Sequence, residues 1–178
     1  VLHNMRPGVM TKLGLDYDAL RQVKPDIIML SLSGFGATGP LRRYAAYNPC
    51  FTSVGGLSHL TGYPEKKPNT MTNSGGDARA GTAAVFAAMM ALVLRQQTGK
   101  GAWIDSSSSE VINAMIGDQM MDYAMNRRSP GRTGNADPVM APHNVYRCAG
   151  DDEWISIAVG SDAEWRGLVA AIPALDDP

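Results

Sequence analysis

Residues 26–33 read Asp-Ile-Ile-Met-Leu-Ser-Leu-Ser, a nearly continuous apolar stretch that follows a proline and precedes a glycine-rich segment. An apolar run of this length without alternation is typical of a strand that is buried on both faces in a parallel sheet. Upstream of it, Asp16 can cap a short helix over residues 17–23, which Pro25 ends. Helix and strand therefore alternate, and this alternation predicts an α/β fold.

A longer helix is predicted over Ala78–Gln97, because residues 83–94 form an unbroken apolar run rich in good helix formers. The run has twelve residues, too few to cross a bilayer, so the sequence favours a buried core helix and no membrane association. Its many alanines indicate that other backbones approach it closely.

Asp77 precedes this predicted helix and follows the segment Asn73-Ser74-Gly75-Gly76. A carboxylate at a glycine turn, where free backbone N–H groups and the positive end of a helix converge, is fixed in place and is a candidate chemical centre. The alternative is an N-terminal capping residue without chemistry. The two glycines would let a ligand approach the backbone, but the pattern alone leaves both interpretations open.

Gly34–Gly39 has the spacing of a dinucleotide-binding glycine loop and follows the predicted strand. Such a loop must open a helix and be followed by an acidic residue about twenty positions on. Here Pro40 and a short basic segment follow instead. The sequence therefore favours a ligand-facing loop at the carboxyl end of the strand.

The remaining elements are predicted from local signals. A strand end is expected at Val1–His3, a helical turn at Val9–Leu13, a short helix at 48–59 and a strand at 102–105. The serines 106–109 are expected to cap a helix over 110–126. Downstream, the signals indicate a hairpin of strands 144–148 and 153–159, then a capping box at Ser161–Glu164 that opens a helix ending at Pro173.

The composition of the chain argues against some classes of partner and cofactor. The 178 residues are 44% hydrophobic, and 16 basic against 17 acidic residues give a net charge of −1, which argues against a nucleic-acid partner. The two cysteines are isolated and the three histidines show no metal-ligand spacing, so no metal is expected. We expect a soluble cytoplasmic protein, and the start at Val1 in mid-fold leads us to expect a partial chain or one that pairs with another.

Several segments together resemble one enzyme family. They are Asn4-Met5-Arg6-Pro7-Gly8-Val9-Met10 with Leu13-Gly14-Leu15, Pro25-Asp26-Ile27-Ile28, Ser33-Gly34-Phe35-Gly36 with Gly39-Pro40, Asp77 ahead of the long helix, Thr98-Gly99-Lys100-Gly101, and Ala141-Pro142-His143 with Val145-Tyr146. In this order and over nearly the whole chain, they resemble the family III CoA-transferases, a superfamily that also contains acyl-CoA racemases.

The resemblance implies that Asp77 is a nucleophile that forms an aspartyl-CoA intermediate while CoA passes from an acyl-CoA to a carboxylic acid acceptor. It implies that coenzyme A is bound by Asn4, Met5, Arg6, Lys12, Tyr44, Ala45, Ala46 and Tyr47. The racemases carry a base histidine near the position of Tyr47, so transfer is favoured here. An acyl-CoA racemase or epimerase, and a non-catalytic oligomerising or acyl-CoA-binding fragment, remain the alternatives.

The resemblance also implies a domain plan. Residues 1–126 correspond to the central part of a Rossmann-like large domain, 127–142 to a linker, and 143–178 to the beginning of a smaller α+β domain. The implied assembly is a homodimer of interlocked chains. Unpaired sheet edges and exposed apolar surface in such a partial chain would favour self-association.

Overall fold

The computed structural model describes residues 1–69 and 75–172. It divides into two compact units, one of Val1–Thr61 with Pro68–Gly131 and the other of Gly62–Lys67 with Arg132–Pro178. The first unit contains β1 (Leu2–His3), α1 (Val9–Lys12), α2 (Tyr17–Val23), β2 (Ile28–Ser33), α3 (Asn48–Val54), α4 (Leu57–Leu60), α5 (Gly75–Thr98), β3 (Ala102–Ser107), α6 (Ser108–Met115) and α7 (Gly117–Asn126). The second contains β4 (His143–Arg147), β5 (Trp154–Ala158) and α8 (Asp162–Ala171).

The predicted apolar strand is the central strand of the sheet. β2 pairs in parallel with β1 on one side and with β3 on the other, in the order β1-β2-β3. Met29 and Leu30 are each only 2% exposed, as expected for a strand covered on both faces. The α/β prediction with a parallel sheet is confirmed.

Three predicted helix caps are present. Asp16 Oδ1 accepts a hydrogen bond from the Ala19 N–H at 2.9 Å, at the start of α2. Ser107 Oγ accepts from Glu110 N at 3.4 Å, and Ser161 Oγ accepts from Glu164 N at 3.3 Å. In each case a short polar side chain satisfies an N–H group that no intrahelical carbonyl can reach.

Two predicted helices are broken. Residues 48–59 form α3 and α4 instead of one helix, because Gly56 takes a left-handed φ of +90° between them. Residues 110–126 form α6 and α7, separated at Ile116, where a glycine follows and weakens the helix. The strand predicted over 102–105 continues to Ser107, where it remains paired with β2.

Helix α5 starts earlier than predicted, at Gly75, so Asp77 lies within its first turn and not ahead of it. The helix packs against β2, β3, α3 and α6. Its buried residues are all small: Gly75, Gly76, Ala80, Ala84 and Ala91. The small size of these buried residues agrees with the prediction that the alanines let other backbones approach this helix closely.

The opposite face of α5 is exposed, so the prediction of a fully buried core helix is wrong. Its exposed large apolar residues are Val85, Phe86, Met89, Met90, Leu92, Val93 and Leu94. Within the described ranges, α5 is the one helix long and apolar enough, by length and composition, to cross a membrane, a test that core helices of soluble proteins also pass. The argument that this helix is too short to cross a bilayer was wrong, because it counted twelve apolar residues and the helix has 24. The absence of membrane association stays a prediction.

The second unit contains the predicted hairpin. β4 and β5 pair antiparallel from His143 opposite Ala158 to Arg147 opposite Trp154, and the Cys148 N–H donates to the Glu153 carbonyl at 2.9 Å. Helix α8 then ends at Ala171. Pro173, which was predicted to end it, lies outside the described residues.

Candidate functional site

The parallel register of the sheet places three polar residues in one row. His3 is opposite Ser31, and Ser31 is opposite Asp105. They line a cleft of about 270 Å³ together with apolar side chains that include Met29 and Trp103. Sequence reasoning missed this row, since only the pairing register of three distant strands brings its members together.

A hydrogen-bonded chain joins Trp103 to two members of this row, Ser31 and His3. Trp103 Nε1 donates to Ser31 Oγ at 3.0 Å, and Ser31 Oγ lies 2.8 Å from His3 Nε2. The Met5 N–H donates to His3 Nδ1 at 3.2 Å, so Nδ1 is the acceptor nitrogen and Nε2 carries the proton. Burial lowers the pKa of His3 below 6.5, which favours this neutral ring.

This geometry excludes the interpretation of Ser31 and His3 as a nucleophile with its general base. Because Nε2–H donates to Ser31 Oγ, the imidazole cannot also accept the serine proton, as a general base must do. The chain of contacts instead ties the backbone at Met5 to the sheet. Its role in the site is therefore to support the turn that follows β1.

A second, smaller cleft of about 80 Å³ lies beside that turn. Its lining brings together five of the eight residues predicted to bind coenzyme A: Asn4, Met5, Arg6, Tyr44 and Ala46. Arg6 Nη2 donates to the Arg43 carbonyl at 2.5 Å and so joins the turn after β1 to the segment before α3. Two segments about 40 residues apart in sequence thus form one surface.

The other three predicted residues are placed differently. Lys12 ends α1 and is exposed, whereas Tyr47 is the N-cap residue of α3 and is 78% exposed. Neither these two nor Ala45 belongs to the lining of the second cleft, as far as the described residues show. The assignment of all eight residues to coenzyme A stays a prediction.

The glycine loop after β2 does not open a helix. Residues 34–46 form turns and bends, and the next helix is α3. Both carboxylate oxygens of Asp105 accept from the Ala37 N–H, at 3.0 and 2.9 Å, and Gly34–Gly36 line the second cleft. The dinucleotide interpretation is thereby excluded, because its pyrophosphate requires a helix N-terminus.

Asp77 is exposed on the first turn of α5. Gly75 and Gly76 before it are buried, and the Gly76 N–H donates to Asn48 Oδ1 at 3.0 Å. Asp77 is therefore not the N-cap residue of this helix. Asn73 and Ser74, which complete the predicted glycine turn, lie outside the described residues, and among described residues neither cleft above includes Asp77.

Other candidate centres are few among the residues that the structure describes. In the described ranges no group of three or more His, Cys, Asp or Glu residues could hold a metal ion. Cys50 and Cys148 are free and exposed. Among the described residues, the candidates for a functional role are the carboxylate of Asp77 and the polar surfaces around the two clefts.

The model of CoA-transferase family III matches residues 1–177. The chain belongs to this family. It is 35% identical over 172 residues to the succinyl-CoA–D-citramalate CoA-transferase of Chloroflexus aurantiacus, covering 97% of this chain and 42% of that one. It is likewise 35% identical to the acetyl-CoA:oxalate CoA-transferase of Acetobacter aceti, covering 96% of this chain and 44% of that one.

The fold of the chain is also similar to that of a solved structure. A CaiB/BaiF family protein from Brucella suis superposes with a TM-score of 0.88 at 34% identity, over 97% of this chain and 45% of that protein. The family III chain described here thus spans less than half the length of the relatives it matches.

Proposed function

We propose that this family III chain takes part in the transfer of CoA from an acyl-CoA thioester to a carboxylic acid acceptor, with Asp77 as the nucleophile. The observation that carries the proposal is the match to the family over residues 1–177 combined with an exposed carboxylate on the first turn of α5. Family resemblance supplies the role of Asp77. The exposed position makes the carboxylate accessible to a thioester.

The chemistry divides one difficult exchange into steps that each make one bond and break one. An Asp77 carboxylate oxygen attacks the thioester carbonyl and expels the CoA thiolate, which leaves a mixed anhydride. The thiolate then attacks the Asp77 carbonyl and releases the donor acid, which leaves an aspartyl-CoA thioester. The acceptor carboxylate attacks that thioester and expels the CoA thiolate, which leaves a second mixed anhydride between Asp77 and the acceptor. The thiolate then attacks the acyl carbon of the acceptor, which forms the new acyl-CoA and releases the Asp77 carboxylate.

Coenzyme A would be held by the surface around the second cleft. Arg6 and Lys12 supply cations for its phosphates, and the planar guanidinium of Arg6 suits phosphate oxygens best. Asn4, Met5 and residues 44–47 would contact the remainder of the molecule. The fixed Arg6–Arg43 contact supports this assignment because it orients the guanidinium before the ligand arrives.

The substrates are proposed from the named relatives. The two reported above are named for succinyl-CoA with D-citramalate and for acetyl-CoA with oxalate, and a third, from Agrobacterium fabrum, is named for succinate with glutarate. We therefore propose short-chain acyl groups, with dicarboxylates among the acceptors. Tyr47 argues against a racemase, since a tyrosine there does not replace the base histidine of that branch.

We also propose a homodimer, interlocked as the family resemblance implies, in the cytoplasm. The domain boundaries at 126 and 142 belong to the same proposal. An inactive oligomerising or acyl-CoA-binding fragment is the second candidate, and the observation favouring it is that, among the described residues, neither cleft is lined by Asp77.

The experiment is intact-protein mass spectrometry after incubation with succinyl-CoA or acetyl-CoA, followed by addition of oxalate, D-citramalate or glutarate. We expect a CoA adduct that Asp77→Ala loses, while the variant stays folded because a first-turn carboxylate contributes only about 1 kcal/mol. Asp118→Ala is the matched control, since Asp118 is also an exposed first-turn aspartate, in α7.

Each outcome separates the candidates. A normal transfer rate in Asp77→Ala contradicts the nucleophile assignment. Exchange of the α-proton with solvent deuterium without CoA transfer supports the racemase instead. A folded protein that binds acyl-CoA but forms no adduct supports the non-catalytic fragment.

A further inference from the structure

A buried polar cluster lies beside the start of helix α5. It consists of Asn48, Thr52 and Ser58, which are 8%, 0% and 3% exposed. Buried polar groups are costly unless they are hydrogen-bonded, so their partners indicate why they are there. Here one partner is the backbone of α5: Asn48 Oδ1 accepts the Gly76 N–H at 3.0 Å.

Two further hydrogen bonds join Asn48 to the rest of α3 and to α4. Thr52 Oγ1 donates to the Asn48 carbonyl at 2.7 Å within α3, and Ser58 Oγ of α4 donates to Thr52 Oγ1 at 3.2 Å. The chain of bonds therefore runs from α4 through α3 to the first turn of α5. Because the members are buried, water cannot easily replace these bonds.

Steric contact reinforces the hydrogen bond. A Cβ atom at Gly76 would collide with Asn48 Oδ1 and with the side chains of Phe51 and Thr52. The backbone of α5 thus lies directly against α3 at the residue that precedes Asp77. A shift of this contact must move the Cα atom that carries the carboxylate.

We propose that Asn48 is a positioning residue for Asp77. The inference rests on the proposed function for the role of Asp77, but its geometric part stands by itself. The first N–H groups of a helix have no intrahelical acceptor, and a helix end that loses its external acceptor frays. Loss of Oδ1 therefore loosens the turn that carries Asp77, and a displacement of about 1 Å can cost on the order of 100-fold in rate.

The test compares three variants of the whole protein. Asn48→Ala removes the acceptor. Asn48→Asp keeps an acceptor oxygen at the same place, and its charge faces the positive end of α5. Asn113→Ala is the matched control, because Asn113 Nδ2 also makes a side-chain to backbone bond in this unit, but to the Gly55 carbonyl at 3.2 Å and not to the backbone of α5.

Two quantities are measured for each variant: amide hydrogen exchange of the α5 start around residues 75–80, and the rate of CoA-adduct formation as a function of acyl-CoA concentration. For Asn48→Ala we expect at least tenfold faster exchange there, and a maximal adduct rate lowered by about 10- to 100-fold with little change in the half-saturating concentration. Asn48→Asp should restore slow exchange. Asn113→Ala should leave both quantities as in the wild type.

The two proposals fail separately. Unchanged exchange in Asn48→Ala overturns the positioning role whether or not the protein is active. Faster exchange with an unchanged adduct rate overturns the link to Asp77. A wild-type protein without any adduct contradicts the proposed function alone, and the exchange comparison still decides whether Asn48 holds the first turn of α5.

Discussion

At the scale of single residues, two glycines of α5 show how the surroundings decide what a side chain costs. Gly76 has no room for a Cβ atom because α3 lies against it, whereas a Cβ at Gly81 has nothing within 4 Å. Glycine inside a helix is otherwise unfavourable relative to alanine. The same substitution therefore has opposite expected signs at two positions five residues apart.

We predict that Gly76→Ala lowers the free energy of unfolding by about 1–3 kcal/mol through overpacking. Gly81→Ala should raise it by roughly 0.5–1 kcal/mol through the reduced entropy of the unfolded chain. Urea denaturation of both variants beside the wild type measures the two values. A stable Gly76→Ala protein would show that α3 and α5 are less closely packed than described.

The hydrogen-bonded chain of Trp103, Ser31 and His3 is a second case in which the surroundings decide the role of a side chain. A serine 2.8 Å from a histidine nitrogen looks like an activated nucleophile, yet the Met5 N–H on the opposite nitrogen sets the tautomer against it. Whether a serine and a histidine can act as nucleophile and base therefore depends on the group that bonds the second ring nitrogen. Here that partner belongs to the turn that carries the proposed CoA-binding residues.

At the scale of the element, helix α5 has two unlike faces. Small residues face the sheet and the neighbouring helices, and large apolar residues such as Phe86 and Met89 face outward, where they are 67% and 57% exposed. Full burial of each such side chain would be worth roughly 1.5–3 kcal/mol. A continuous apolar face of this kind favours association.

We predict that the protein self-associates through the outer face of α5. The double variant Met89→Gln with Met90→Gln should weaken association by at least about tenfold, because two exposed apolar side chains become polar. Met121→Gln with Met125→Gln, on α7, is the matched control, since these methionines are also exposed. Sedimentation velocity over a range of concentrations measures the change.

Two results would contradict this prediction. Equal association constants for the two double variants would place the interface elsewhere. Flotation of the wild type with phosphatidylcholine vesicles, abolished only by the α5 variant, would assign this face to a membrane, contrary to the expectation from sequence.

At the scale of the whole molecule, the chain forms two units and passes between them at three places, one of which is Gly131–Arg132, within the segment 127–142 that was predicted to be a linker. The segment is basic, and residues 127–133 have no regular secondary structure. We predict that limited trypsin digestion cleaves first after Arg127 or Arg128, since irregular exposed backbone is the preferred site of proteolysis. Mass spectrometry of the early fragments identifies the cut, which should disappear when both arginines are changed to glutamine.

Arg95, near the end of α5, is an internal control for this digestion. Arg95 is part of the helix and lies within 4.0 Å of Asp26, so cleavage there requires local unfolding. First cleavage at Arg95 would mean that α5, and not the linker, is the least stable part of the chain.

The sequence by itself determined the α/β class, the central strand, three helix caps and the family, because these depend on local patterning, short-range hydrogen bonds and motif order. Asp16, Ser107 and Ser161 need only the residues next to them. Only the tertiary structure decided which residues meet. The row from His3 to Asp105 depends on strand register, and the bond from Asn48 to Gly76 depends on the packing of α3 against α5. The exposure of α5 depends on which elements lie beside it. Local sequence encodes none of these three.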